Sequence, residues 1–348
     1  MSFQPDYVFD GEPPIGGTWE VAPGVRWLRM PLPFKLDHIN LWMLEDSDGW
    51  TLVDTGINTD ETRSAWDAVF AETLNGKPVK RVIVTHFHPD HVGLAGWLCE
   101  RFNVPLWMPY TEWATGRMLS FETGMTAGPV FHAFYKAAGF TGERLAQVDR
   151  RVGRYGGNIS PIPAAIQRIA HDDEIMIGDH VWRVIEGNGH SPEHACLYCS
   201  DLDVLISGDQ ILPKISPNVS VWPQEPEADP LARFLSSLDR FRDLPGDTLV
   251  LPSHNWPFRG LPERLDDLAA HHHERLDEAE VACRARDEVG GATAVDVLEH
   301  LFKRELDTHQ MFFAVGESIA HLHHLRTLGR VKRYIDAVGV YRYQAAAV

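Results

Sequence analysis

The sequence predicts an α/β (α+β) protein followed by a small, mostly helical C-terminal domain. Three observations support this prediction. Apolar runs of strand length alternate with helical spacing between residues 24 and 108, a second series of apolar runs lies between 175 and 206, and helix formers with charge prevail after Pro262. With 348 residues, of which 44% are hydrophobic, the chain can bury a substantial core. We expect one domain over residues 1–261 and a second over residues 262–348.

The first elements are short strands followed by a helix. Apolar runs bounded by Pro, Asp and Gly predict antiparallel strands at residues 25–28, 39–44 and 50–53. Residues 60–74 then change to helical spacing, because apolar side chains recur on one side. The order β, α, β continues with a strand at 81–85, a helix at 92–102 and a strand at 104–108.

A long segment over residues 111–168 is mostly helical in period and rich in Met, Phe, Gly and Tyr. Its position between two motif-bearing segments suits a lid over an apolar substrate pocket, with ordinary core packing as the alternative. A second β series follows at residues 175–177, 181–185, 195–199 and 204–206.

The C-terminal region is predicted to contain helices and a terminal hairpin. The helices are expected at 261–286, 293–302 and 314–328, and the hairpin at 331–343. This order is the outline of a winged helix.

The segment from Thr85 to His91 contains three imidazoles and one carboxylate directly after an apolar run. Side chains spaced this closely at the end of a strand must converge. Imidazole and carboxylate are the ligands that zinc, iron and manganese accept, so the segment predicts a metal site.

Four further motifs stand at the ends of predicted strands. They contain Asp54, His190, Asp209 and His254. A small residue at the end of a strand lets the neighbouring side chain project from the sheet edge, so these motifs can meet in one cleft.

The order, spacing and type of these residues resemble the metallo-β-lactamase superfamily from residue 20 to residue 260. The resemblance implies that His86, His88 and His190 hold one metal ion. It also implies that a second ion is held by Asp90, His91 and His254, with Asp209 bridging both ions. Asp54 corresponds to an aspartate that orients the ligand loop without touching metal. The implied fold is an αββα sandwich, in which two mixed sheets pack face to face with helices outside.

The resemblance also implies a chemistry. Two divalent metal ions are expected, with zinc as the first choice and iron or manganese as alternatives. A water between such ions has its pKa lowered from about 16 to about 7, and the resulting hydroxide is the expected nucleophile. Asp90 would hold this hydroxide in line and Asp54 would support the site, so both are predicted to act in catalysis. A thiolate leaves without a proton donor because its conjugate acid has a pKa of about 8.5, whereas an amine needs one. The expected substrate is therefore a small thioester such as an acyl-CoA, with lactones and other esters next.

Two alternative functions stay open. A phosphodiesterase or ribonuclease could use the same site, because the C-terminal region resembles the winged-helix extension of some superfamily hydrolases, among them polyketide-pathway thioesterases and a mitochondrial ribonuclease group. A mononuclear iron persulfide dioxygenase retains much of the same motif set. Asp209 occupies the position of a cysteine in many zinc β-lactamases, which disfavours antibiotic hydrolysis. The glutathione-binding motif of glyoxalase II enzymes has no match after His254, which disfavours hydroxyacylglutathione.

The amino-acid composition disfavours some classes of binding partner. The formal charge of −17 disfavours nucleic acid and anionic membranes. Residues 293–348 contain seven Lys or Arg and six Asp or Glu, so this region is predicted to pack or form a homodimer rather than to bind phosphate. The N-terminus lacks a basic and apolar leader, and no run of about 18 apolar residues occurs. We expect a cytoplasmic location.

Several cysteines and histidines are predicted to lie outside the site. Cys196 and Cys199 have the spacing of a metal motif, but on a strand they would point to opposite faces, so buried thiols are expected. Non-ligand roles, mostly on solvated helix faces, are expected for His194, His271, His272, His273, His321, His323 and His324.

Overall fold

The computed structural model describes residues 3–303 and 305–346, which fall into two compact units. Unit 1 comprises Met1–Phe121, Arg154–Pro217 and Ser237–Leu265. Unit 2 comprises Glu122–Gly153, Asn218–Ser236 and Asp266–Val348. Because each unit draws on several segments of the chain, the predicted boundary between residues 261 and 262 stays a prediction.

Two seven-stranded sheets form the centre of unit 1. The first sheet has the order β2 (Thr18–Ala22), β3 (Val25–Pro31), β4 (His38–Asp46), β5 (Gly49–Val53), β6 (Val79–Ile83), β7 (Leu106–Met108) and β8 (Gln167–Arg168). The second sheet has the order β1 (Asp6–Tyr7), β14 (Phe258–Arg259), β13 (Leu249–Pro252), β12 (Val204–Gly208), β11 (His194–Cys199), β10 (His180–Gly187) and β9 (Glu174–Ile177). Both sheets are mixed. The pairs β5–β6 and β12–β13 are parallel, and β3–β4 and β4–β5 are antiparallel as predicted.

The two sheets share one apolar core. Alternate residues of the first sheet, including Trp27 and Trp42, are buried in the same cluster as Trp182, Leu197 and Ile206 of the second sheet. Trp27 and Trp42 stack with ring centroids 6.5 Å apart, across the β3–β4 pair. Period-two alternation of buried residues therefore produces the predicted face-to-face arrangement of two sheets.

The α-helices that lie wholly in unit 1 belong to the first half of the chain. They are α1 (Asp60–Thr73), α2 (Pro89–Val92), α3 (Ala95–Phe102) and α4 (Tyr110–Phe121). Trp66 and Val69 of α1 and Leu98 of α3 pack with Leu41 and Val82 of the first sheet in a second apolar cluster. The αβ architecture predicted for this part of the chain is confirmed.

The predicted helix over residues 92–102 is interrupted. The Leu94 N–H donates to Gly56 O and Thr55 Oγ1 rather than to the preceding turn, so α2 ends at Val92 and α3 begins at Ala95. Asn103 ends α3 in the left-handed conformation, at φ 52°.

Unit 2 is mostly helical. Its elements are α5 (Gly124–Ala137), α6 (Gly142–Arg151), most of α7 (Pro230–Leu238), most of α8 (Leu261–Arg284), α9 (Ala294–Leu301), α10 (Thr308–Thr327) and the hairpin β15 (Val331–Ile335) with β16 (Tyr341–Ala345). The segment 111–168 is divided between the units. Tyr135 and Phe140, in and just after α5, pack on Phe312 of α10, and this contact places α5 with the C-terminal helices.

The C-terminal elements have the predicted order, but one helix begins earlier than predicted. Helix α10 begins at Thr308, earlier than predicted, because Asp307 and Gln310 form a capping box there. The hairpin follows the three helices α8, α9 and α10 in the predicted order. The winged-helix assignment stays a prediction. Among the described residues, every helix is too short or too polar to cross a membrane.

All four cysteines are buried and free, including Cys196 and Cys199 on β11 as expected.

Candidate metal centre

The predicted site residues come together where strands end. Asp54 follows β5, and Thr85 and His86 follow β6; the parallel pairing of these strands places their ends at one edge of the first sheet. Asp209 and His254 follow β12 and β13, which are parallel in the second sheet. The strand-end motifs therefore converge as the sequence predicts.

His86, His88, His190 and Asp209 form the first group of donors, with ligand atoms all within 4.8 Å of one another. His86 Nε2 lies 2.9 Å from His88 Nδ1 and 3.3 Å from His190 Nε2. His190 Nε2 lies 3.3 Å from Asp209 Oδ2. Three nitrogens and one oxygen thus face a common point.

Asp90, His91 and His254 form the second group, within the same distance limit. Asp90 Oδ2 lies 3.8 Å from His91 Nε2 and 3.7 Å from His254 Nε2. Asp209 reaches this group as well, since its carboxylate lies 3.5 Å from His91 Nε2 and 3.4 Å from His254 Nε2. Asp209 therefore stands between the two groups, where a bridging role is predicted for it.

Asp54 supports the site from behind. Its carboxylate accepts hydrogen bonds from the Thr85 N–H at 2.8 Å, the Thr85 hydroxyl at 2.9 Å and His91 Nδ1 at 2.8 Å. The bond to Nδ1 leaves Nε2 of His91 to face the donors. This geometry agrees with an orienting role for Asp54, and that role stays a prediction.

His254 is oriented by a backbone group. Its Nδ1 donates to His38 O at 2.9 Å, so Nε2 points to the donor cluster. The His38 ring in turn accepts the Asn255 N–H at 3.0 Å. Both histidines of the second group thus have their tautomers set by neighbours.

Burial and neighbouring charges shift the pKa values of the donor residues in different directions. Burial lowers the pKa of His86 and His88 well below the ordinary value, and neighbouring imidazoles lower it further, so both rings are neutral. Burial also lowers the pKa of His91, but the carboxylates of Asp54 and Asp209 outweigh it and the net shift is strongly upward. Burial raises the pKa of Asp209, but the imidazoles of His254 and His91 reverse this and lower it well below the ordinary value.

The donor set fits a pair of divalent cations. Among the described residues, His91 Nε2 and Asp209 Oδ1 are buried side-chain atoms that make no hydrogen bond. Leaving such atoms without a partner is costly, and both face the cluster. Imidazole nitrogens with carboxylate oxygens suit zinc, iron or manganese. The seven side chains are therefore able to hold a metal pair.

The supporting roles of Thr85 and His194 are among those that the sequence does not predict. His194 is fully buried at the start of β11, and its Nε2 accepts the Asp209 N–H at 3.1 Å. The expectation of solvated faces is also wrong for His272, His321 and His323, which are buried in unit 2. No spacing rule identifies such contacts, since they join residues far apart in the chain.

Comparison with protein families identifies both regions of the chain. Residues 35–254 match the model of the metallo-beta-lactamase superfamily. Residues 276–346 match the model of the metallo-beta-lactamase-like C-terminal domain.

Two known proteins resemble the chain over nearly its whole length, and a third resembles about two thirds of it. A crystal structure of a beta-lactamase domain protein from Burkholderia ambifaria is 46% identical, with a TM-score of 0.91 and coverage of 98% of both chains. The probable metallo-hydrolase YqjP of Bacillus subtilis is 23% identical over 90% of this chain and 96% of its own. A hydroxyacylglutathione hydrolase of Albidiferax ferrireducens is 25% identical over 67% of this chain and 68% of its own.

Proposed function

Because this chain belongs to the metallo-beta-lactamase superfamily and is a metal-dependent hydrolase, we propose that it cleaves a small thioester with a pair of divalent metal ions. One observation carries the proposal. Two adjoining groups of His and Asp donors converge at strand ends, and Asp209 lies within 3.5 Å of both.

The chain supplies the ligands and fixes their orientation. His86, His88, His190 and Asp209 would hold one ion, and Asp90, His91 and His254 the other, with Asp209 shared. When bound, divalent ions lower the pKa of a coordinated water to about 7 and polarise the bond under attack. Asp54 and the His38 carbonyl hold His91 and His254 with Nε2 inward. Asp90 is partly exposed, with 20% of its side chain accessible, which suits a carboxylate that orients an attacking water.

Leaving-group chemistry favours a thioester. Two polar groups that adjoin the ligands are already engaged: His194 Nε2 accepts the Asp209 N–H, and the Thr85 hydroxyl lies against Asp54. An amine leaving group needs a proton from such a neighbour, whereas a thiol with a pKa of about 8.5 leaves as the thiolate. The similarity to a hydroxyacylglutathione hydrolase also supports this class, because an acylated glutathione is a thioester.

Zinc is the metal we propose first. Five imidazoles and two carboxylates form the donor set, and zinc accepts both ligand types in hydrolytic sites. Iron and manganese accept the same ligands, so metal content must be measured along with activity.

The C-terminal region supports a small-molecule substrate over nucleic acid. Arg326 and Arg333 pair with Glu227, and Arg330 pairs with Asp277 and Glu280. Arg342 of the hairpin pairs with Asp336. Arg304, which also contributes to the basic count, lies outside the described residues. Arginines already matched with carboxylates offer little attraction to phosphates.

A substrate panel tests the proposal. Purified protein loaded with zinc would be given acyl-CoA thioesters, lactones, oxygen esters and a phosphodiester, with released thiol followed by a thiol reagent. We expect kcat/KM to be highest for a thioester. Preference for the phosphodiester would support the nuclease alternative, and one iron per chain with oxygen consumption on a persulfide would support the dioxygenase alternative; either result would overturn the proposal.

A further inference from the structure

We infer that Glu112 is a positioning residue that joins the two loops carrying His86, His88 and His190, and thereby sets the metal affinity of the first donor group. This inference rests on the proposed metal binding. Glu112 stands in the first turn of α4, outside every motif that predicts the site.

The Glu112 carboxylate bonds to both loops at once. Oε2 accepts the Phe87 N–H at 3.1 Å, and Phe87 stands between His86 and His88. Oε1 accepts the Ser191 hydroxyl at 2.7 Å and the Glu193 N–H at 2.6 Å, in the loop that begins with His190. One side chain therefore connects residues more than 100 positions apart.

Further contacts hold this connection in place. Glu193 Oε2 accepts the Thr111 N–H at 3.0 Å, so the loop and the start of α4 are bonded in both directions. The Tyr155 hydroxyl donates to Phe87 O, so the peptide units on both sides of Phe87 are fixed. Because Phe87 is held at its N–H and its C=O, the backbone from which the His86 and His88 side chains project is fixed.

Burial by itself disfavours the charged form of the Glu112 carboxylate. Glu112 is 0% exposed, and burial raises its pKa to about 7, while the bonds from Glu193, Ser191 and Phe87 act to lower it. An apolar residue would avoid this desolvation cost but would leave two buried N–H groups and a hydroxyl without an acceptor. The three donors explain why a carboxylate fits here.

Asp46 offers a matched control. It is 4% exposed and likewise accepts three bonds, from the Thr51 hydroxyl, the Arg81 guanidinium and the Gly178 N–H. It ends β4 at the opposite end from His38, whose carbonyl orients His254. With a rise of about 3.3 Å per residue, the two ends of this strand are about 26 Å apart.

The test compares Glu112→Gln with Asp46→Asn in the full chain. Each change replaces one carboxylate oxygen by an NH2 group that faces an existing donor. We expect the melting temperature of the metal-free protein to fall in both variants. Only Glu112→Gln should weaken zinc binding, by about 10- to 100-fold for one of two ions in chelator competition. Hydrogen exchange of the metal-free variant should also quicken in peptides covering residues 85–91 and 188–194.

The outcomes separate this inference from the proposed function. Equal zinc affinities in wild type, Glu112→Gln and Asp46→Asn would overturn the positioning role, while the wild type would still bind its two ions. A wild type that binds no zinc would overturn the proposed function itself. If Glu112→Gln fails to fold, Ser191→Ala removes one of the three donors without leaving a charge unpaired. It should still weaken zinc binding several-fold, and unchanged affinity in that variant would also overturn the role.

Discussion

Asp54 supports the metal loop from a backbone conformation that few residues adopt. Its φ is +60°, in the left-handed region where Asn and Asp are tolerated better than most side chains. From there it bonds to Thr85 and His91. A change to Asn keeps the backbone preference and the shape but removes the charge.

Asp54→Asn is therefore expected to weaken metal binding without unfolding the chain. Loss of the charged acceptor for His91 Nδ1 should raise the zinc dissociation constant by about 10- to 100-fold, as for other residues that support a ligand. The measurement is competition with a chromogenic chelator. Asp203→Asn is a suitable control, because Asp203 also has positive φ (48°) but precedes β12 at the end opposite Asp209. Equal losses in both variants would contradict the orienting role.

Glu317 in unit 2 is expected to make the stability of the fold depend on pH. Burial raises its pKa to about 7, although Arg275 and a hydrogen bond from Asn218 oppose the shift. The ordinary value is 4.5, so between pH 4.5 and pH 7 the folded chain keeps a proton that the unfolded chain has lost. The stabilisation from this group is present below pH 4.5 and is lost as the pH rises towards 7.

Glu317→Gln should remove this dependence. Relative to wild type, the free energy of unfolding of the variant should increase by about 1 to 2 kcal/mol between pH 5 and pH 7. Urea unfolding at the two pH values measures it. Glu299→Gln, at an exposed position of the same unit, should give the same difference from wild type at both pH values. A constant difference for Glu317→Gln as well would show that the pKa of this carboxyl is not raised in the folded chain.

At the scale of elements, the strands with alternating or continuous apolar runs were predictable, because burial of one or both faces leaves a local pattern. Elements fixed by distant contacts were not. The two-residue strands β1 and β8 pair with residues far away in the chain, and the sequence analysis does not predict α7. The break before α3 likewise depends on Gly56 and Thr55, nearly 40 positions earlier.

Helix α3 also depends on a glycine that allows another segment to approach. The Ser160 hydroxyl accepts the Trp97 N–H at 3.2 Å, and Ser160 N–H donates to Gly93 O at 2.6 Å. A Cβ added at Gly96 would lie 1.9 Å from Pro161 O. The close contact between α3 and this segment therefore excludes any side chain at position 96.

Gly96→Ala should destabilise the protein even though alanine is the better helix former. Helix propensity favours the change by about 1 kcal/mol, but a clash with backbone costs about 3 kcal/mol or more, so a net loss of about 2 kcal/mol is expected. Gly124→Ala, at the start of α5, meets no atom within 4 Å and should be neutral or slightly stabilising. Thermal unfolding of both variants provides the comparison, and a stable Gly96→Ala protein would refute the packing described here.

At the scale of the whole molecule, an acidic chain encloses a site rich in imidazole. The net charge is −17, while the donor cluster contains five histidines and two aspartates. The ligand motifs were predictable because each lies beside its own strand end. The supporting contacts of Glu112, Thr85 and His194 were not, because they exist only once the sheets and loops have come together.

The most direct test of the metal centre is a crystal structure of zinc-soaked protein with data collected at the zinc absorption edge. We expect two anomalous peaks, one beside His86, His88 and His190 and one beside Asp90, His91 and His254, with Asp209 next to both. An empty cluster after soaks with zinc, manganese and ferrous salts, or peaks bound only elsewhere on the protein, would contradict the account.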